Sequence, residues 1–196
     1  MAKNKKELAS FHTTNNLIMI ARQHFSAYGY ENTSLEAIAA EAKMTRGAVY
    51  HHFKNKKNLF KAVLAQVQHE VGLNVEKEAE TSEDLWEQLI LGCVGFVEAA
   101  TLESNKRILL IEAPNVLEWS QWKKIDDENS VLLLEEQLLT VQQRGLLIDF
   151  DIHMIAHMIS GALNDLSISL AESDTVSKTQ IYEAIAYLLK GFRKDG

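Results

Sequence analysis

The chain's 196 residues suit one compact body, or one with a small satellite, and nine glycines with a single proline are too few turn formers for an all-β protein. One cysteine, Cys93, leaves no internal disulfide and no multi-cysteine zinc site. The net charge of −7 argues against a nucleic-acid partner until its distribution is read: residues 1–60 hold nine Lys/Arg against four acids, net +5, and residues 61–196 carry net −12, as in a basic head that approaches a polyanion and an acidic body that faces water.

Residues 1–7 are basic but lack the apolar segment of a signal peptide. A first helix is predicted over 13–28, with Leu17, Ala21, Phe25 and Tyr28 on one face and Gly29 at its C-terminal cap. Thr33 and Glu36 read as a capping box that opens a second helix through Ile38 and Ala39 to residue 42. Thr45 caps a short third helix to residue 51, and Asn55 a long fourth with Leu59, Val63, Val67 and Val71 inside. A fifth starts near 81–84 and carries Leu85, Leu89, Val94 and Val97; a sixth, 105–113, ends near Pro114. A seventh runs 121–144 to a glycine stop at Gly145, an eighth covers 151–171, and a ninth opens on the capping box Ser177/Gln180 and runs to 193. The most apolar uncharged stretch, 152–164, would span about 20 Å as a helix, short of the roughly 30 Å hydrocarbon core. The expectation is an all-α, soluble, cytoplasmic protein of about nine helices, with no membrane contact.

The second and third helices are short and joined by a turn of about three residues, the layout of a helix-turn-helix whose second member enters the DNA major groove. Ala39, Ala40 and Ala42 are small enough for a close helix crossing. Thr45 offers a hydroxyl at a helix N-terminus, suited to a phosphate or a base edge, and Arg46 can fork onto guanine. Gly47 lets backbone approach the groove, Tyr50, His51 and His52 supply further donors, Phe53 plugs the small core, and Lys56 adds charge at the start of the fourth helix.

The stretches Phe25–Ala39 and Ala42–Phe60, with their Phe-x-x-x-Gly-Tyr, Thr-x-x-x-Ile-Ala and Gly-x-x-Tyr-x-x-Phe-x-x-Lys-x-x-Leu blocks in order and in register, closely resemble the TetR/AcrR family of bacterial transcriptional regulators. The resemblance covers roughly residues 13–64. It implies an all-helical homodimer, with a DNA-binding head (residues 1–55) and a ligand-sensing, dimerising body (56–196). Carried over by position, Thr33, Thr45, Tyr50 and Lys56 become backbone-phosphate contacts, and Arg46, Gly47 and His51 base-edge or groove contacts. At the start of the first helix, where family members often carry basic residues, this chain reads His12 to Asn16; Lys3, Lys5 or Lys6 could substitute.

In the body, Ile152, Ile155, Ile159, Leu163, Leu166 and Leu170 form one stripe, and Ile181, Ile185, Leu188 and Phe192 another. Stripes this regular call for a partner helix, in a second subunit or in the same one; the resemblance favours a four-helix dimer interface. Trp86, Phe96, Trp119, Trp122, Met154 and Met158 could line an apolar effector cavity or be plain core, and Glu112 could face a cationic ligand or solvent. His153 and His157 share a face at a spacing that can ligate zinc; an interface or pocket role, with His157 in the pocket, is the expectation, with no metal and no cofactor. Cys93 reads as an inert buried thiol. With no nucleophile–base pair, phosphate loop or metal-ligand spacing, the chain is not expected to be an enzyme. The expected function is a repressor released from a palindromic duplex-DNA operator by a small-molecule effector; the alternative is a ligand- or partner-binding helical protein without DNA activity.

Overall fold

The computed structural model describes residues 2–126, 130–171 and 176–194, with side chains for all of these except residues 2–6 and Trp119. Among them the structure is helical and forms no strand: α1 (Ala2–Asn32), α2 (Leu35–Glu41), α3 (Arg46–Phe53), α4 (Lys56–Ala79), α5 (Leu85–Thr101), α6 (Glu103–Lys106), a π-helical segment (Arg107–Glu112), α7 (Ala113–Val116), α8 (Trp119–Asp126), α9 (Leu132–Gln143), α10 (Ile152–Ala171) and α11 (Lys178–Lys190). No single helix among the described residues is long and apolar enough to cross a membrane.

The elements begin where side-chain oxygens can take orphan backbone donors. Thr45 accepts from Ala48 N–H, Asn55 from Asn58 N–H and Asp84 from Glu87 N–H, and Ser177 with Gln180 makes a reciprocal capping box. α2 departs from expectation: Ser34 is its cap, accepting from Ala37 N–H at 3.0 Å. α1 starts well before residue 13, because the Thr13 and Thr14 hydroxyls bond back to the carbonyls of Ala9 and Ser10 as in a helix interior.

One expected helix is interrupted, and another is described in two parts. The sixth passes through a π-helical turn and continues as α7, in which Pro114 sits in the first turn, where its missing N–H breaks no bond. The seventh is described as α8 and α9, on either side of residues 127–129, which lie outside the described residues. α9 ends as expected at Gly145, which has φ +74°.

Two clusters of buried side chains organise the molecule. The first joins Leu17, Ala21 and Phe25 of α1, Ile38 and Ala39 of α2, Val49 and Phe53 of α3 and Leu59 to Val67 of α4; Phe25 meets Phe60 edge-on at 5.2 Å. The second is built round α5, whose Trp86, Leu89, Ile90, Val94 and Val97 pack with α10 and α11. α4 runs from one cluster into the other and lies along α5, close enough that a Cβ on Gly95 would stand 3.0 Å from the Asn74 carbonyl and Glu78.

Candidate nucleic-acid interface and ligand cavity

α3 is held to the rest of the head by one face and leaves the other free. Val49 and Phe53 are buried, while Thr45, Arg46, Gly47, Tyr50 and His51 are exposed on one continuous surface. The preceding turn is a Schellman arrangement, with Lys43 N–H to Ala40 C=O at 3.1 Å, Met44 N–H to Ala39 C=O at 2.8 Å and Lys43 in the left-handed region at φ 54°. Arg46 is 71% exposed and 2.8 Å from Glu36, an exposed pair of the weak kind that a stronger anion displaces. A Cβ on Gly47 would meet nothing nearer than Thr45 Oγ1 at 3.9 Å. Nothing inside the chain therefore demands glycine there, and the space stands open outward. Behind this face, His52 Nδ1 lies 3.1 Å from Thr14 Oγ1, and His24 Nε2 2.7 Å from Glu41, bracing α1 against the helix pair.

Three of the expected roles change. Thr33 is 2% exposed and its hydroxyl donates to the Gly29 carbonyl at 2.7 Å, so it caps the broken end of α1 and is not displayed to a phosphate. Lys56 is half-buried; its ammonium donates to the Tyr30 carbonyl at 2.8 Å and sits 4.2 Å above the Tyr30 ring, so its charge first closes the end of α1. Ala40, expected at the helix crossing, faces solvent. The side chains of Lys3, Lys5 and Lys6 lie outside the described residues.

Glu112, half-buried, is turned to the end of α1. Gly29 takes φ +81°, ψ 169° and breaks α1 there, which frees backbone groups that need partners. Glu112 Oε1 accepts the Tyr30 N–H at 3.0 Å, and Arg107 Nη1 donates to the carbonyls of Ala27 at 2.9 Å and Ser26 at 3.3 Å. Both come from the π-helical segment of the body. One turn earlier on α1, Arg22 bonds Glu70 of α4 at 2.6 Å and Asn105 Oδ1 of α6 at 2.7 Å. Head and body are thus fastened by charged, distance-sensitive bonds.

The body contains a cavity of about 650 Å³ between α4, α5, α9 and α10, lined by Val71, Val75, Leu89, Cys93, Phe96 and Leu163 among others. The volume suits a drug-sized organic molecule. Burial pushes the Cys93 thiol up to about 12, so it lines the wall as a protonated apolar group. Of the expected pocket residues whose side chains are described, only Phe96 lines this cavity. Trp86 is buried in the second cluster with Arg193 stacked 5.3 Å from its ring, Trp122 packs against the first cluster, and Met154 and Met158 face outward. The Trp119 side chain lies outside the described residues. Sequence reasoning missed the buried polar residues of the lining, Gln68 of α4 and Ser160 of α10; the signal for Gln68 is one amide in the otherwise apolar inner stripe of α4.

Residues 86–192 match the family model described as tetracyclin repressor-like, C-terminal domain, and residues 17–63 match that of bacterial regulatory proteins, tetR family. The chain belongs to the TetR family. It is 32% identical over 111 residues to the HTH-type transcriptional regulator AcrR of Shigella flexneri, covering 56% of this chain and 51% of that one, so the match spans about half the length of that relative. Against the Transposon Tn10 TetC protein of Escherichia coli identity is 24% over 162 residues, 81% of this chain and 80% of that one. A TetR-family transcriptional regulator from Pectobacterium atrosepticum superposes with a TM-score of 0.77 at 29% identity, covering 94% of this chain and 95% of that one.

Within this TetR-family body the two apolar stripes are largely spent at home. Ile155, Ile159 and Leu163 of α10 and Ile181 and Ile185 of α11 are buried against α5 and its neighbours, with Ile152, Leu166, Leu170 and Phe192 half-buried around them. The expected dimer stripe is therefore the one that closes the subunit's own core; of its members only Leu188 is exposed. The outward face of α10 carries Met154, Met158, Gly161 and Ile168 at steps of four, three and seven. His157 is not in the cavity either. His153 Nδ1 bonds Glu135 of α9 at 2.6 Å, the two imidazole Nε2 atoms lie 3.0 Å apart, and His157 Nδ1 is 3.1 Å from Lys123 of α8. This chain of bonds ties three helices together. Among the described residues no group of three or more His, Cys, Asp or Glu side chains could hold a metal ion.

Proposed function

We propose that the protein is a ligand-responsive transcriptional repressor: a homodimer whose two α3 helices enter successive major grooves of a palindromic operator and leave it when a small molecule fills the body cavity. The observation that carries this is the division of labour along α4. Its first half, Leu59 to Val67, is core of the head, and its second half, Gln68 to Ala79, is wall of the cavity. A molecule that binds better to a body with α4 displaced moves the head through the same helix, by no more than its differential affinity for the two states.

Thr45, Arg46, Gly47, Tyr50 and His51 supply the groove face. Thr45 and Tyr50 are positioned for phosphates, Arg46 for a guanine edge and His51 for the groove wall. Lys56 contributes through the α4 N-terminus that it helps to hold. The head is assigned to residues 1–55 and the body to 56–196, with α4 the lever between them. The dimer forms through the outward faces of α10 and α11, where Met154, Met158, Ile168, Tyr187 and Leu188 are exposed. Gly161, with open space where a Cβ would stand, permits close approach of a partner helix.

The names of the relatives support DNA regulation, and the exposed, unspent face of α3 favours it over a helical ligand-binder without DNA activity. The test is equilibrium binding to duplex DNA across salt. The log of the binding constant is expected to fall linearly with log salt, by about 0.9 per neutralised phosphate. A well-folded dimer that shows no salt-dependent association with any duplex would overturn the proposal.

A further inference from the structure

We infer that Arg107 and Glu112 are positioning residues for DNA recognition: their grip on the broken end of α1 fixes the tilt of the head on the body, and with it the half-site spacing that the dimer accepts. This rests on the regulator reading above and adds to it the residues that set the spacing.

The polar bonds between α1 and the body fall at two points. At the first, Arg22 reaches Glu70 of α4 and Asn105 of α6. The second lies at the Gly29 break, about 10 Å further along the helix. There Arg107 takes the Ser26 and Ala27 carbonyls, Glu112 takes the Tyr30 N–H, and the Ser26 hydroxyl donates to the Ser104 carbonyl at 3.0 Å. One point leaves α1 free to pivot; two fix its direction. Ile108, Ala113 and Leu117 also join the buried cluster of the head. Apolar contact is non-directional and lets packed surfaces slide, whereas a hydrogen bond weakens steeply with distance and angle.

The same grip reaches the reading helix by two routes. Tyr30, held through its N–H by Glu112, gives its carbonyl to Lys56 at 2.8 Å, in the first turn of α4 and just after α3. Along α1 toward its N-terminus, Thr14 lies 3.1 Å from His52 of α3. Thr14 stands about 22 Å from Gly29 along the helix axis. A tilt of about 10° at the joint therefore moves α3 by about 4 Å, slightly more than the base-pair rise of about 3.4 Å.

The experiment measures equilibrium affinity of the whole protein for duplexes carrying the inverted repeat that it selects from a random pool. The spacer between half-sites is left unchanged, or lengthened or shortened by a base pair at a time, and one duplex carries a single half-site. Each added base pair shifts a half-site by about 3.4 Å and turns it by roughly 34°. Wild type is expected to lose about tenfold or more in affinity per base pair of change, because a rigid head leaves the duplex to deform. Arg107→Met/Glu112→Ala removes both charges together, and water can take the carbonyl of the exposed Ala27. Its loss per base pair should fall to about threefold or less, while its single half-site affinity stays within about twofold of wild type. Arg107→Lys, which keeps a donor for the Ala27 carbonyl, should stay close to the wild-type profile. A double variant with the wild-type profile, or one weakened equally on the half-site and on every repeat, would overturn the inference. So would Arg107→Lys flattening the profile as far as the double variant does, since packing rather than the bond would then be the cause. A wild type that binds no duplex, or selects no inverted repeat, sinks the regulator reading and this role with it, so the two failures are distinguishable.

Discussion

Arg46 stands at the first position of α3 with its guanidinium on Glu36 and most of its surface in water. Because an exposed ion pair of this kind contributes less than about 1 kcal/mol, Arg46→Ala should barely change the denaturation midpoint. It should instead relax preference at one operator base pair, by about 1–3 kcal/mol, read by comparing affinities for operators substituted at each position. Equal weakening on all of them would make Arg46 a backbone contact. Residues whose partners lie within one turn are legible in the sequence: Thr45, Asn55 and Ser177 cap the helices expected of them, whereas α5, expected to start near 81–84, is capped by Asp84 at the end of that stretch. Thr33, Lys56 and Glu112 were misjudged because their partners are set by the break at Gly29, which the spacing of neighbours does not reveal.

At the scale of elements, that break is the feature with most consequence. A Cβ on Gly29 would stand 2.5 Å from Glu112 Oε1 and 2.9 Å from Arg107 Nη2, at a φ of +81° that other residues rarely adopt. Gly29→Ala should destabilise the protein by about 1–3 kcal/mol, seen as a lower urea midpoint; an unchanged midpoint would mean that the Arg107–Glu112 fastening yields at no cost. Between α11 and the α4–α5 pair, Lys178 bonds Glu78 at 2.7 Å and Glu98 at 2.8 Å, and its hydrogen bonds to Glu78 and then Glu98 raise its pKa. A lysine raised in the folded state contributes stability below its unfolded value near 10.5, and that contribution is lost as pH climbs through the folded value. Tyr182, raised chiefly by its hydrogen bond to Glu87, adds to the same alkaline loss. The melting temperature gap between wild type and Lys178→Met should be flat from pH 7 to 9 and shrink above about 10.5; a gap that persists undiminished at higher pH would remove the ammonium as its source. The helical period gave most elements away. The π-helical turn at 107–112 was not visible, because apolar residues continue at helical spacing through it.

For the whole molecule, the sequence shows an acidic body and a basic head, and it marks the apolar stripes of α10 and α11 without deciding between a partner subunit and the same chain. Periodicity marks an apolar stripe without saying whether the neighbour belongs to the same chain, and here α5 takes it. The cavity was equally hidden: its walls come from four helices far apart in sequence, and its polar lining residues are scattered among them. In the proposed dimer, two-fold pairing sets the distance between the recognition helices, so operator symmetry reports on the entire proposed assembly at once. The most direct measurement is therefore enrichment of protein-bound duplexes from a random pool at moderate salt. The recovered sequences should form an inverted repeat whose half-sites are centred about one helical turn, roughly 34–36 Å, or a multiple of it apart, and a variant with Arg46 and Tyr50 both changed to alanine should recover none. Enrichment of a single unrepeated site, or equal enrichment by that variant, would contradict a dimer reading DNA through α3.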